Sequence, residues 1–315
     1  MNKRILLTLG LLAFSAPESG QAFDSHVWAD RMASEDEAVR NSALADLKTL
    51  QGTEREQAIS ILSSVLHRGP LQAERAALGL AQLKVDAEPV LIDLIYALSY
   101  DEESVALAVS SAIVPLGGRA VGPLRRVLDD ANFFTRRRAV DILGRIGPAA
   151  APAVTPLIET LFDTQYEVQN AAEKTLIAIG PAAIPGIMST FPKANEVQRR
   201  RLVQIMGHYG APAADSFITI ARKDASPYVR LNAMDQLGQI QPLPKEALPV
   251  LLKALSDFDE SVRGGVADIL GSLGPVAKPL APTLQRIAGD DPDSLVRQKA
   301  TDALTVITST ETLKK

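Results

Sequence analysis

Cysteine is absent from this 315-residue chain, which excludes disulfides, thiolate metal sites, a cysteine nucleophile and a lipid-anchored cysteine. Histidine is scarce: His26, His67 and His208 are the three, and none falls in the two-histidine helical spacing that zinc chemistry uses. The sequence has neither a glycine-rich phosphate loop nor an N-x-Ser/Thr acceptor. Aromatic residues make up 4% of the chain and the isoelectric point is near 5.5. Nucleic-acid binding through phosphates needs many Lys and Arg contacts on a broadly basic surface, so this balance speaks against DNA or RNA as a partner. With no converging acids, bases or metal ligands, the sequence indicates no enzyme, no metal and no cofactor.

At the N-terminus, Lys3 and Arg4 precede the apolar run Ile5–Ala16, which is followed by a polar stretch and by Gly20-Gln21-Ala22 before Phe23. The order of charged, apolar and small-residue segments predicts a secretory signal peptide over 1–22, cleaved after Ala22. The run falls short of the ~20 apolar residues of a bilayer span. The expected location is therefore periplasmic or extracellular, with no integral membrane segment after cleavage. Charge is unevenly spread along the rest. Residues 23–117 hold 7 basic and 15 acidic side chains, residues 118–223 hold 14 and 9, and residues 224–315 hold 10 and 12. The middle third is basic between acidic flanks.

A repeat organises nearly everything after the signal. Aligned on one apolar position, its anchors are Val39, Gln72, Val105, Thr135, Val168, Gln198, Val229, Val262 and Val296, spaced 33, 33, 30, 33, 30, 31, 33 and 34 residues apart. Eight residues past each anchor stands a large apolar residue, from Leu47 and Leu80 to Leu270 and Leu304. Four past it stands a mostly small one, such as Ala43, Ala76 or Ala139. Positions +4, +7, +8 and +11 from an anchor share one face of a 3.6-residue helix. A second apolar segment precedes each anchor and often opens on proline, as at Pro89, Pro123, Pro156 and Pro249, where a missing N–H has no helical partner. The Gly-Pro pairs at 147–148, 180–181 and 274–275 mark the end of one unit and the start of the next. Self-similarity at this period means stacked supersecondary units. The expected architecture is an all-α solenoid of about nine two-helix repeats over residues 23–307, with Trp28 in a cap at one end and a polar tail over 308–315.

The units carry Pro-Leu at the start of the first helix, an aspartate in the turn, then Val-Arg-x-x-Ala-x-x-x-Leu-Gly. Asp224 with Val229, Arg230, Ala233, Leu237 and Gly238 shows the pattern, as does Asp257 with Val262, Arg263, Leu270 and Gly271. On these residues the chain resembles HEAT repeats over about 30–307, of the short bacterial class also seen in phycobilisome lyases. The resemblance implies that the second helices line a concave side. It also implies that turn aspartates (Asp130, Asp163, Asp224, Asp257, Asp291) bond to helix arginines of neighbouring units (Arg40, Arg136, Arg199, Arg230, Arg263, Arg297) as an inner ladder. The ladder is expected to break where His67 and Lys193 replace the acid, and where Ala73, Ala106 and Gln169 replace the arginine.

Two arginine triplets, 136–138 and 199–201, occupy identical places in the fourth and sixth units. The middle member lies about 175° from the centre of the apolar stripe. Arg137 and Arg200 are therefore expected to point out of the inner face, with Asn170 between them and Lys174 and Gln204 alongside, as a basic patch. The expected function is a non-enzymatic scaffold that binds a protein or peptide, acidic in character, along that face. Two alternatives stand beside it: a bilin lyase-like or other cofactor-handling enzyme, implied by the resemblance alone, and a structural envelope component that self-associates through its acidic and basic thirds.

Overall fold

The computed structural model describes residues 23–83 and 88–309; the expected signal peptide lies outside them, as do residues 310–315 of the expected tail. Eighteen α-helices and no strand occur among the described residues. They fall into nine consecutive pairs. The first three are α1 (Ser25–Ala33) with α2 (Glu37–Asp46), α3 (Gly52–Val65) with α4 (Pro70–Leu83), and α5 (Leu91–Tyr96) with α6 (Glu103–Ile113). Next come α7 (Gly118–Arg125) with α8 (Phe133–Ile146), α9 (Val154–Thr160) with α10 (Tyr166–Ile179), and α11 (Ile184–Thr190) with α12 (Glu196–Gly207). The last are α13 (Ala214–Lys223) with α14 (Pro227–Gly238), α15 (Ala247–Ala254) with α16 (Glu260–Leu273), and α17 (Ala281–Asp290) with α18 (Ser294–Thr308). Every anchor lies on the even-numbered, second helix of its pair, and α18 carries the last of them through Thr308, one residue into the expected tail.

The second helices stack mainly on one another, while first helices contact first helices, as α1 does α3, α5 does α7 and α13 does α15. The core is the layer between the two rows. Each residue at +4 and +8 from an anchor is buried, apart from Leu304. Leu304, on the last described helix, is half-buried. At the other end Trp28 is buried, donating its indole N–H to the Ala43 carbonyl at 3.0 Å and meeting the Phe23 ring at 6.0 Å. Thus α1 is both the cap and the first helix of unit one.

Helix ends follow local chemistry. Asp24, Asp36, Asn132, Asn195, Ser226, Asp259 and Asp293 cap N-termini with their side chains, accepting from N–H groups that have no intrahelical partner. After α8, α10 and α16 the chain leaves through Gly147, Gly180 and Gly274 at φ 70°, 69° and 57°, a backbone region a Cβ would strain. Proline then opens a 3-10 segment rather than an α-helix, at 147–153, 180–183 and 274–280. Pro123 departs from its expected first-turn place and sits inside α7. The helical run Tyr166–Lys193 has the length and a mean hydropathy, 1.3, of a membrane-crossing helix, but it breaks at Gly180 into α10 and α11 of successive units.

Stacking is not uniform. Second helices pack closely at α4–α6, α8–α10 and α16–α18, and sparsely at α2–α4, α6–α8 and α10–α12. The last two are the junctions with a 30-residue spacing. At the first of them α8 rests on the 3-10 turn Ala97–Ser99 that ends the neighbouring first helix.

Candidate functional site

Along the turns, four arginines reach the aspartate of the following unit in paired bonds. Arg136 donates Nε and Nη2 to Asp163 at 2.7 and 2.9 Å, Arg199 to Asp224 at 2.8 and 3.0 Å, Arg230 to Asp257 at 3.0 and 2.7 Å, and Arg263 to Asp291 at 2.8 and 2.9 Å. Each also gives Nη1 to carbonyls of its own turn, as Arg230 does to Asp224 at 3.0 Å. The aspartates in turn accept a backbone N–H two residues on, from Gln165, Ser226, Asp259 and Asp293. A planar guanidinium fork matched to a carboxylate is the strongest of the ordinary charge-assisted arrangements. Arg136 and Arg263 accordingly hold the carboxyls of Asp163 and Asp291 below the usual carboxylate range. Arg40 and Arg297 make only the own-turn contacts, and Asp130 accepts from Asn132 N–H with no arginine from the unit before, where Ala106 stands. Gln169 copies the own-turn bond, donating to the Asp163 carbonyl at 2.6 Å.

The triplets resolve into three different jobs. Their first members, Arg136 and Arg199, are ladder arginines. Their third members are caps on the neighbouring first helix: Arg138, 3% exposed, donates to the carbonyls of Leu98, Tyr100 and Asp101, and Arg201 donates to the Leu161 carbonyl at 2.8 Å and to Glu173. Arg138 and Arg201 each reach a carbonyl 40 residues back, one across each junction of 30-residue spacing.

The middle members part company, which corrects the expected basic patch. Arg137 is half-buried and donates to Glu103 of the previous unit at 3.0 Å. Its charge is therefore answered within the protein, and Asp141 one turn on adds a carboxylate beside it. Asp141 is exposed, yet the protein around it pushes its carboxyl up against the pull of Arg137 and Lys174. Lys174 and Gln204 are exposed, Asn170 is half-buried, and Arg200 is exposed with no carboxylate partner among the described residues. Arg200 instead lies over the Tyr228 ring, 5.9 Å from its centroid.

Beside Arg200 the second-helix face opens into a groove of about 910 Å³, walled by α12, α14, α16 and the loop after α14. Leu231, Leu243, Ile269, Leu273 and Val276 make its apolar surface, and Asn232, Asp235, Asp268 and Ser272 its polar one. Gly265 on its floor faces Leu231 so closely that a Cβ would lie 2.5 Å from that side chain. The sequence signal for this groove was the pair Gly264-Gly265 at the register where other units place Arg137-Arg138 or Arg200-Arg201. A volume of this size falls at the upper end of ligand and peptide pockets.

A second polar cluster sits on the first helices. Asp93 on α5 accepts from Ser63 Oγ and meets His67 Nε2 at 3.0 Å, with the Tyr96 ring 4.6 Å from the imidazole. In a Ser-His-Asp triad the histidine stands between the serine and the acid; here the acid is central and Ser63 bonds to it, so the imidazole is not placed to take the hydroxyl proton. Among the described residues no three His, Cys, Asp or Glu side chains gather for a metal.

Comparison with known proteins agrees with this architecture. A family model for HEAT repeats matches residues 214–305. No curated protein matches the chain. Among solved structures the chain is similar to the karyopherin Kap121p bound to the extreme C-terminus of the protein phosphatase Cdc14p, at 11% identity and a TM-score of 0.51, over 90% of this chain and 37% of that one. It is also similar to the complex of CpcE and CpcF of phycocyanin lyase from Nostoc sp. PCC7120, at 23% identity and a TM-score of 0.41, over 48% of this chain and 98% of that one. Human deoxyhypusine hydroxylase is a further match, at 20% identity and a TM-score of 0.30, over 90% and 95%. At these identities the likeness concerns the fold.

Proposed function

Since the chain is a HEAT-repeat protein, we propose that it is a non-enzymatic scaffold that holds a protein or peptide segment along its second-helix face. The observation that carries this reading is the open groove of about 910 Å³ beside the exposed, unpaired Arg200. A solenoid presents such a surface preformed, so a partner binds with little ordering of the protein itself. The karyopherin matched above, shown with a protein segment bound, supports the kind of partner. An acidic partner gains less support than the sequence promised, because Glu103 neutralises Arg137. Export to the envelope or beyond belongs to the same proposal and rests on residues 1–22; N-terminal sequencing of protein from the exported fraction is expected to begin at Phe23, and full-length protein retained in the cytoplasm would refute it.

A photo-crosslinking amino acid at Gln204 or Lys174 tests the scaffold reading against the same probe at Leu252, an exposed residue of α15. In cells of the source organism, adducts are expected from the second-helix positions and not from Leu252. Adducts from Leu252 alone, or from none of the three, would overturn it.

A further inference from the structure

The register that faces the groove changes character toward the C-terminus. Six residues past the anchor, α8, α10 and α12 carry Asp141, Lys174 and Gln204, whereas α14, α16 and α18 carry Asp235, Asp268 and Asp302. None of these last three aspartates belongs to the turn ladder or caps a helix, so stacking does not call for an acid there. Among the described residues only one of them meets a cation: Lys299, half-buried, reaches Asp268 at 2.6 Å. Asp235 accepts from the Gln239 amide at 2.9 Å and Asp302 from Gln298 at 2.9 Å, and no ion pair to either occurs among the described residues. Asp235 and Asp268 both line the groove, next to the apolar Leu231, Ile269, Leu273 and Val276.

From this juxtaposition we infer that the groove takes an extended segment of a partner protein in which a lysine or arginine stands next to a large apolar side chain. The cation meets Asp235, and meets Asp268 where it displaces Lys299, and the apolar side chain lies against Leu231, Ile269, Leu273 and Val276 between α14 and α16. Axes of packed helices lie ~8–10 Å apart, which is about three residues of extended chain. Successive aspartates thus match cations at alternate or third positions of the segment. Arg200, stacked on Tyr228 at the α12 end, repels a cation placed there, and so sets where the segment's basic residues sit. The inference rests on the second-helix face being the docking surface, and it gives that surface a sign opposite to the one expected from the arginine triplets.

The test is selection of a phage-displayed library of random 12-residue peptides on the full chain, with counter-selection on the D235K/D268K variant. Enriched peptides are expected to carry Lys or Arg within two residues of a large apolar side chain. Synthesised and labelled, they are expected to bind D235K/D268K roughly tenfold or more weakly than the parent protein, since reversing charges at a contact both removes attraction and adds repulsion. The milder D235N/D268N variant guards against misfolding and is expected to show an intermediate loss with an unchanged circular dichroism spectrum. Acidic or uncharged winners, winners indifferent to both variants, or no enrichment above an unrelated solenoid would overturn the inference. Crosslinks from Gln204 to a partner without such a basic, apolar segment would leave the scaffold reading standing and remove this one alone.

Discussion

Three adjacent arginines do three separate things because a helix turns 100° per residue. Arg136 is mostly buried against Asp163, Arg137 lies half-buried beside Glu103, and Arg138 is buried against backbone carbonyls. Truncation is predicted to separate them. Arg138→Ala leaves three carbonyls without their donors and is expected to cost about 2–4 kcal/mol. Arg137→Ala, which removes a pair open to water, is expected to stay within about 0.5 kcal/mol; urea denaturation of both variants measures the difference, and equal losses would contradict the assignment. The ladder adds a pH dependence. With folded-state carboxyls held below the usual range, Asp163 and Asp291 contribute stability that is fully present above the ordinary carboxylate value of about 4 and is lost as the pH falls below it. The stability gap between the parent and the variant D163N/D291N is therefore expected to be widest near neutral pH and to close in acid. A gap that stays constant down to pH 3 would refute the rungs.

At the scale of helices, the two junctions with a 30-residue spacing, α6–α8 and α10–α12, share three further features: no ladder rung, little contact between second helices, and an arginine spanning the gap. Shortening the repeat draws α8 toward the end of the preceding first helix, where exposed C-terminal carbonyls need donors, and the third arginine supplies them. Arg201→Ala is predicted to speed amide exchange at α9 and α12 while leaving α16 and α18 unchanged; a uniform increase would argue against a local joint. Much of the architecture could be read from the chain, because the anchors and the small and large positions after them report directly on burial. The joints could not, since the partners of Arg138 and Arg201 are backbone carbonyls 40 residues away, and a carbonyl leaves no mark in the sequence. The same limit applied to Arg137: a helical wheel showed it pointing outward but not that Glu103 of the previous unit would meet it. Asp235 and Asp268 escaped notice for another reason, as isolated acids on a polar face look like ordinary solvated residues until the groove beside them is seen.

Among the described residues, rungs join units four to five and units six through nine, and none joins the first three. In a solenoid each unit gains stability only from its own core and its neighbours, so the N-terminal units are expected to be the weakest. Trp28, the single tryptophan, is buried in the first of them and reports on that end. Its fluorescence is predicted to change at lower urea than the far-ultraviolet circular dichroism of the whole chain, whereas coincident transitions would mean one cooperative unit. Function follows the same axis. The C-terminal units carry three of the four rungs, the groove and the aspartate column together, so the stretch joined by consecutive rungs is the one that presents the proposed binding surface. The most direct test is hydrogen–deuterium exchange of the protein with and without its crosslink-identified partner. Protection confined to α12, α14, α16 and the loop after α14 is the predicted result; protection on the first helices α13, α15 and α17, with none in the groove, would contradict the account.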